Sequence, residues 1–516
     1  MTQRSSLETA LHNAIEESQA TESRYHRQET LLRNEGWDQS RLEQCKVAVI
    51  GNDALANYAA LTLASFGFGH IEMYGQGMLD EEIRQNHSRD GDADFSKGFL
   101  LFKNRRIDTK ARAIEDVIHE INPEIYFRGI NIGMAQPANC TLLQKPDIII
   151  DATNDPASKL CMIDYALVNN IPVVSMSASI DKGSVGVIRP GQDTHEQRQL
   201  IENLMFPEYV GKSQDPVVSQ VIGGIAIEEA RKIINPMNNE RVIEDIIIYN
   251  QRSNSRFDHS VDKEPSHEGV DLKEYNICLV GAGALGNFVG LGLALQNIGR
   301  LVVVDFDDVE VTNLNRQVLL YGSVGAYKAE ALVEKLRWIN PRGNYRAKID
   351  KITPESDRFF ARNKFDMIID TVDNNKARAL INHFSLKYDI PFISGGTRYN
   401  SGQVNICIPG ESACLDCQAD IDNLALGNYR AQSCILAAQP SVITSNQITG
   451  GLMVGEVAPV LDRRNFGDFA HGEIKYVANE DHRLALLPAA RNSCDCHKDK
   501  ERLQGWNDKM QGVYES

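Results

Sequence analysis

The chain has 516 residues, 42% of them hydrophobic and 24% charged. At roughly 150 residues per domain this predicts two to four folded domains and excludes disorder, a coiled coil or a disulfide mini-protein. With 54 basic against 70 acidic side chains the net charge is −16, which argues against a general affinity for nucleic-acid phosphates or anionic lipid and leaves small anions to local pockets.

The first 25 residues are rich in Ser, Glu, Gln and Arg and hold no apolar run of signal-peptide length, so a cytoplasmic protein is expected. From Cys45 the sequence CKVAVIGNDALANYAALTLASFGFGHIEMYG predicts a strand, a turn, a helix and a second strand. Residues 80–108 carry mixed charge without clear periodicity and give no reading. The segments TKARAIEDVIHEINP, KPDIIIDATNDPASK and NNIPVVSMSASIDKGSVGVIRPG continue the alternation. Residues 251–273, rich in Ser, Asp, Glu and His, read as a linker.

The same plan then returns. NICLVGAGALGNFVGLGLALQNIGRLVVVDF, YKAEALVEKLRWINP, KFDMIIDTVDNNKAR and YDIPFISGGTRYNSGQVNICIPG follow the first copy segment by segment. Short β-branched runs (VAVI, IIID, PVVS; ICLV, LVVVDF, MIID, PFIS) alternating with amphipathic stretches predict α/β architecture. The expectation is two tandem Rossmann-like domains with mostly parallel sheets, residues 1–250 and 274–516. The apolar stretch Ile277–Leu295 is long enough to imitate a membrane span, but its glycines fit a strand, a turn and a helix start better.

The copies differ where chemistry would occur. The second has Gly281, Gly283 and Gly286 between strand and helix, a context that allows a tight turn, close backbone approach and phosphate at the helix N-terminus. Asp305 lies about twenty residues on, at the end of the next strand, where a carboxylate can accept from ribose hydroxyls. These features suit NAD and ATP equally. The next segment, DFDDVEVTNLNRQVLLYGSVGAYK, places Asn313, Arg316 and Gln317 in a polar turn and Lys328 at a helix start. Two cations at one end of a nucleotide suit an enzyme that parts pyrophosphate from an adenylate better than a dehydrogenase. MIIDTVDNNKAR ends a strand in Asp370, Thr371, Val372, Asp373 and Asn374, where a carboxylate could hold Mg²⁺ through a phosphate oxygen. The first copy has Asn52-Asp53-Ala54 in the turn and Tyr74-Gly75 at the second strand's end; it keeps Lys110 opposite Lys328 and reads as a structural half.

Ten cysteines are too few for a disulfide scaffold. Cys414 and Cys417 form C-x-x-C, and Cys494 and Cys496 form C-x-C; together they could make a tetrahedral structural Zn²⁺ site, with His497 as a substitute ligand. Cys45, Cys140, Cys161, Cys278 and Cys407 lie in or beside apolar runs and read as packing residues.

The ordered set ESRYHRQ, the Gly-rich turn, DFDDVEVTNLNRQ, VGAYK, DTVDN and the paired cysteines resembles the ubiquitin-activating enzyme superfamily and its bacterial ThiF/MoeB-like sulfur-carrier adenylyltransferases, in a fused two-copy form. The resemblance implies adenylation of the C-terminal carboxylate of a small ubiquitin-like carrier protein or a precursor peptide, with ATP and Mg²⁺, and transfer to a thiol, sulfide or amine. It assigns ribose to Asp305, the phosphates to Asn313, Arg316 and Lys328, and the metal to Asp373. It also implies that Arg27, from the N-terminal segment of the degenerate half, serves the competent site in cis, the two copies forming an intramolecular pseudo-dimer with or without further homodimerisation. Cys434, in NYRAQSCILAAQPSV, takes the loop position of a reactive cysteine. Ala284 departs from the family by replacing a glycine. The competing readings are a tailoring enzyme for a ribosomal peptide product, an NAD-dependent dehydrogenase and a non-catalytic scaffold.

Overall fold

The computed structural model describes residues 23–79, 94–100, 109–191, 209–253, 255–257, 272–425, 442–479, 483–487, 493–499, 503 and 505. Two sheets organise them. The first contains β1 (Lys46–Ile50), β2 (His70–Tyr74), β3 (Tyr126–Ile130), β4 (Ile148–Asp151), β5 (Val173–Ala178), β6 (Lys182–Ile188) and β7 (Ile247–Asn250). The second contains β8 (Asn276–Val280), β9 (Arg300–Val304), β10 (Asn344–Lys348), β11 (Met367–Asp370), β12 (Phe392–Arg398), β13 (Ser401–Cys407), β14 (Glu473–Val477) and β15 (Arg483–Leu487).

Strand order is β3-β2-β1-β4-β5-β6-β7 in one and β10-β9-β8-β11-β12-β13-β14-β15 in the other, so the duplication read from sequence is a duplication of topology. In each, the first five strands are parallel and the rest join antiparallel. The reason is visible in the strands themselves: Ile148–Asp151 and Met367–Asp370 are buried at every position, as a parallel strand covered by helices on both faces requires. Ile277–Leu295 resolves into β8, a turn and the helix Ala284–Leu295, and no helix among the described residues is long and apolar enough to cross a membrane.

The chain order reverses between β1 and β4 and between β8 and β11, which opens a crevice at the carboxyl ends of these strands, where doubly wound sheets bind ligands. Pairing of Val280 with both Val304 and Asp370 brings the ends of β9 and β11 to either side of the Gly281 turn.

The halves share one apolar core running from Leu32 to Ala478. Its centre is the packing of helix Pro216–Ile234 on helix Ile443–Gly455. Both carry Gln-x-x-Gly-Gly, at Gln220–Gly224 and Gln447–Gly451. A Cβ on Gly224 would sit 2.6 Å from Ile448, and one on Gly451 2.6 Å from Val221, so the glycines permit the close crossing. Each buried glutamine donates to the other's backbone carbonyl: Gln220 to Gln447 O at 3.1 Å and Gln447 to Gln220 O at 3.0 Å. A local two-fold relation thus sits inside one chain.

Around it, Arg256 grips Glu456 with two nitrogens at 2.6 and 3.0 Å, both side chains almost fully buried. Thr444 donates to Glu228 at 2.6 Å and Lys232 to Ala478 O at 2.7 Å. These bonds join the first half to the second in the interior, where each unpaired group would carry its full desolvation penalty.

Candidate active site

The turn after β8 assigns a different task to each glycine. Gly281 has φ +102°, and a Cβ there would lie 2.6 Å from Thr371 Oγ1. At Gly286 a Cβ would lie 2.1 Å from Gly281 O, so that glycine lets the helix Ala284–Leu295 pack onto the turn. At Gly283 a Cβ would meet no described atom within 4 Å. Its bare face looks into open space at the helix N-terminus, where backbone amides favour an anion. Ala284 opens the helix half-buried.

Asp305 closes one side of this space. Its Oδ2 accepts from Ala282 N at 2.6 Å and its Oδ1 from Asp307 N at 2.9 Å. Burial pushes its carboxyl above the usual range, and those two amides work against the shift. Lys328, at the start of the helix Lys328–Ile339, holds Asp307 Oδ2 at 2.9 Å and is anchored by its own amide on Asp307 O at 2.8 Å. The turn between them is tied by its own hydrogen bonds. Asn313 Oδ1 accepts from Glu310 N at 3.1 Å, Gln317 N donates to Asn313 O at 2.8 Å, and Arg316 Nη1 donates to Thr312 O and to Asn315 Oδ1, both at 2.8 Å. Arg316 and Gln317 are buried, and Gln317 Oε1 is a buried acceptor with no hydrogen-bond partner among the described residues. Asn287 ties the turn to this segment, donating to Ala282 O and Gly283 O and accepting from Leu319 N, each at 2.9 Å.

The N-terminal segment of the first half reaches the same place. Arg24 and Asn122 fix it to the first half, through Ile121 O at 2.7 Å and Tyr25 OH at 2.7 Å. Gln28 then accepts from Asn315 Nδ2 at 3.0 Å, next door to Arg316. Arg27 lies in the helix His26–Leu32 between these anchors; its side chain is outside the described residues. Gln28 and Asn315 were within the quoted motifs but carried no role in the sequence reading, because a polar pair separated by 287 positions has no periodic signature.

Asp370 is fully buried at the end of β11, bound by Ser394 Oγ and Arg378 Nε, both at 2.8 Å. Asp373, three residues on, is exposed beside the Gly281 turn's partner Thr371.

In the first half the corresponding crevice is a cleft of about 620 Å³ lined by Asn52, Asp53, Gly75, Lys97, Asn154 and Gln214, among others. Asp53 stands where the second half has Gly283, and its Oδ1 holds Lys110 Nζ at 2.7 Å. Lys110 also donates to Lys97 O at 3.0 Å. Gly75, in the place of Asp305, leaves no carboxylate for a ribose; a Cβ there would lie 2.7 Å from Asn52 Cβ. Asn154 and Gln214 are likewise engaged with the backbone, through Ala178 O at 2.7 Å and Leu55 N at 2.9 Å. These polar groups are satisfied internally, and the space beside the turn is taken by a carboxylate. Part of the segment that sequence left unread proves to support it: Phe99 N and Leu100 N donate to Asn57 Oδ1 as Leu319 N does to Asn287.

The sulfurs of Cys414, Cys417, Cys494 and Cys496 lie within 4.8 Å of one another, with Cys417 and Cys496 at 3.6 Å. A tetrahedron of Zn–S bonds near 2.3 Å has edges of about 3.8 Å, so the group fits a zinc ion. Cys414 N donates to Cys494 Sγ at 3.2 Å, which favours a thiolate. Burial pushes the Cys496 thiol up to about 12, and its neighbours Cys417 and Cys494 add to the shift. Among the described residues His497 is not part of this group. Cys434 lies outside the described residues.

A family description, the ThiF family, matches the sequence twice, over residues 25–270 and 266–498. The chain belongs to the ThiF family. Among curated relatives, tRNA threonylcarbamoyladenosine dehydratase of Haemophilus influenzae is 34% identical over 126 residues, covering 24% of this chain and 48% of the relative. The match therefore spans about half of that relative's length. Ubiquitin-like modifier-activating enzyme 5 of Drosophila ananassae is 27% identical over 275 residues, 47% of this chain and 68% of the relative. Among solved structures, Escherichia coli MccB with AMPCPP and selenomethionine MccA matches at a TM-score of 0.37 and 22% identity, over 43% of this chain and 66% of that one.

In this two-copy ThiF chain the structure brings the segments that carry Gly281, Gly283, Gly286, Asp305, Asn313, Arg316, Gln317 and Lys328 into one hydrogen-bonded neighbourhood and gathers the four paired cysteines at another place. The Gln-x-x-Gly-Gly repeat was legible in the sequence and missed, being shorter than the segments that carried the duplication.

Proposed function

We propose that the second half is an ATP-dependent adenylating centre that activates the C-terminal carboxylate of a small ubiquitin-like carrier protein, with the first half as its structural and N-terminal partner. The observation that carries this reading is the open, uncapped face of Gly283 between Asp305 and Lys328, set against the same position in the first half, which Asp53 fills. The carboxylate oxygen attacks the α-phosphorus, the bond from that phosphorus to the bridging oxygen breaks, and pyrophosphate leaves.

An ionised carboxylate needs no general base, so the work is positioning and charge. Asp305 orients the ribose, the turn amides and Asn313 cradle the phosphates, and Lys328, Arg316 and Arg27 balance charge on the leaving group. Lys328 is already paired with Asp307, which holds the ammonium at the mouth of the turn. A Mg²⁺ on Asp373 would supply further charge neutralisation to the phosphates. Zinc on Cys414, Cys417, Cys494 and Cys496 would tie the C-terminal segment to the second half, a structural task. Cys434 is the proposed acceptor thiol, and the proposed location is the cytoplasm, where ATP is supplied.

Membership of the ThiF family and two cations beside the turn favour ATP over NAD. One relative is named for action on a tRNA and another for activating a ubiquitin-like modifier. The net charge of −16 opposes a tRNA substrate, and the longer match is to the modifier-activating relative.

The test is calorimetric titration of ATP·Mg²⁺ onto the full chain, followed by ATP–pyrophosphate exchange with small β-grasp proteins ending in Gly-Gly, short linear peptides and tRNA. One nucleotide per chain and exchange stimulated by the Gly-Gly proteins is expected. Exchange with peptides alone supports the tailoring-enzyme reading, and no nucleotide bound overturns both. Cys434→Ser is expected to lose transfer and keep exchange.

A further inference from the structure

We propose that Arg378 is a positioning residue that fixes the loop carrying Asp373 and so aims its carboxylate into the crevice. The inference rests on the adenylation reading for what Asp373 does, and on geometry alone for what holds it. Arg378 was part of the quoted DTVDNNKAR run without a role.

The two halves supply an internal control, because β4 with its helix and β11 with its helix correspond residue for residue. In the first half, Lys159 Nζ contacts Asp151 Oδ2 at 2.7 Å, Ser175 Oγ at 3.1 Å and Met176 O at 2.9 Å. An ammonium has three donors, and all three are used on the strands. In the second half, Arg378 repeats the core of this arrangement: Nε to Asp370 Oδ2 at 2.8 Å, with Ser394 on the same carboxylate, and Nη2 to Gly395 O at 2.8 Å. The guanidinium fork has donors to spare. Nη2 also donates to Val372 O at 2.6 Å.

Val372 is thereby held at both ends, since its N–H donates to Asp370 Oδ1 at 2.9 Å. On the other side of Asp373, Asn374 caps the following helix by accepting from Ala377 N at 2.8 Å. Asp373 sits between two fixed residues with its side chain exposed. The first half has neither the arginine nor the aspartate. Its Asn154 stands in the place of Asp373 and is tied down by its own side chain, on Ala178 O at 2.7 Å and Lys212 O at 3.1 Å. Where the loop carries an exposed carboxylate the backbone is clamped by an arginine; where it carries a bound amide a lysine is enough.

The test is Arg378→Lys in the full chain, which copies the arrangement the first half already accommodates. In the ligand-free protein, hydrogen exchange across residues 371–374 is expected to quicken at least about fivefold, the scale of one lost hydrogen bond. In ATP–pyrophosphate exchange, the Mg²⁺ concentration for half-maximal rate is expected to rise about fivefold with the KM for ATP unchanged. In an Asp373→Asn background the same substitution is expected to leave the Mg²⁺ requirement where Asp373→Asn alone puts it. Unchanged loop exchange in Arg378→Lys overturns the proposal. So does fast exchange of this loop in the unmodified protein, a measurement that needs no variant to fold. If the chain shows no ATP–pyrophosphate exchange at all, the adenylation reading fails, and hydrogen exchange still decides whether Arg378 holds the loop.

Discussion

Replacing Gly283 by alanine should separate folding from nucleotide binding. Gly283 has φ −71° and ψ −162°, a conformation open to any residue, and its Cβ would meet no described atom within 4 Å. The lost glycine cap costs a few tenths to about 1 kcal/mol, and the stiffer unfolded chain returns about 0.4–1 kcal/mol, so stability should change by less than about 0.5 kcal/mol. The methyl group would occupy the path by which a phosphate approaches the turn amides. Losing one hydrogen bond from a backbone N–H to a charged phosphate is worth about 1.5–3 kcal/mol. That corresponds to roughly a 10- to 100-fold higher Kd for ATP. Gly286→Ala is the contrasting variant: its Cβ, 2.1 Å from Gly281 O, forces the helix off the turn and should cost about 1–3 kcal/mol of stability as well as binding. Guanidinium unfolding and calorimetric ATP titration on the same preparations give both quantities. A Gly283→Ala chain that unfolds at the original midpoint and binds ATP as tightly as before would refute the assignment of this face to the phosphates.

At the join between halves, Arg256→Met or Glu456→Gln alone should cost about 3–5 kcal/mol, and the double variant little more than either; additive losses in denaturant midpoints would show that the pair is uncoupled. Asp215 caps the central helix Pro216–Ile234 through Val217 N and Val218 N, and burial raises its carboxyl to about 6 despite those bonds. Because the folded value lies above the ordinary one, the stabilisation is complete below about pH 4 and is lost as pH rises through about 6, amounting to at most about 3 kcal/mol and less for a partly exposed group. Asp215→Asn keeps a good cap and should flatten stability between those pH values; an unchanged slope would place the titration elsewhere. Metal analysis of the purified chain should find one zinc for the four gathered thiols, and a strong chelator should lower the melting temperature and open the segment 493–499 to protease; a chain with no zinc that melts unchanged in chelator would remove the structural role.

The sequence by itself determined the duplication, the two doubly wound sheets, the turn at Gly281–Gly286 and the place of Asp305, because each is a local pattern. A fully buried strand must be apolar throughout, and a turn packed against its own helix needs glycine at fixed offsets. The cysteine pairs were legible for the same reason, as short spacings that a metal's geometry demands. Tertiary structure decided what lies far apart in the chain. It brought Cys414 to Cys494 across 80 residues, seated Gln28 on Asn315, crossed the two Gln-x-x-Gly-Gly helices and let Asp53 close on Lys110. It also showed Arg378 gripping both the strand and the loop. Polar contacts of this kind leave no period in the sequence, because one hydrogen bond fixes one pair of residues and asks nothing of their neighbours, whereas burying a face constrains every second or every third to fourth position along it.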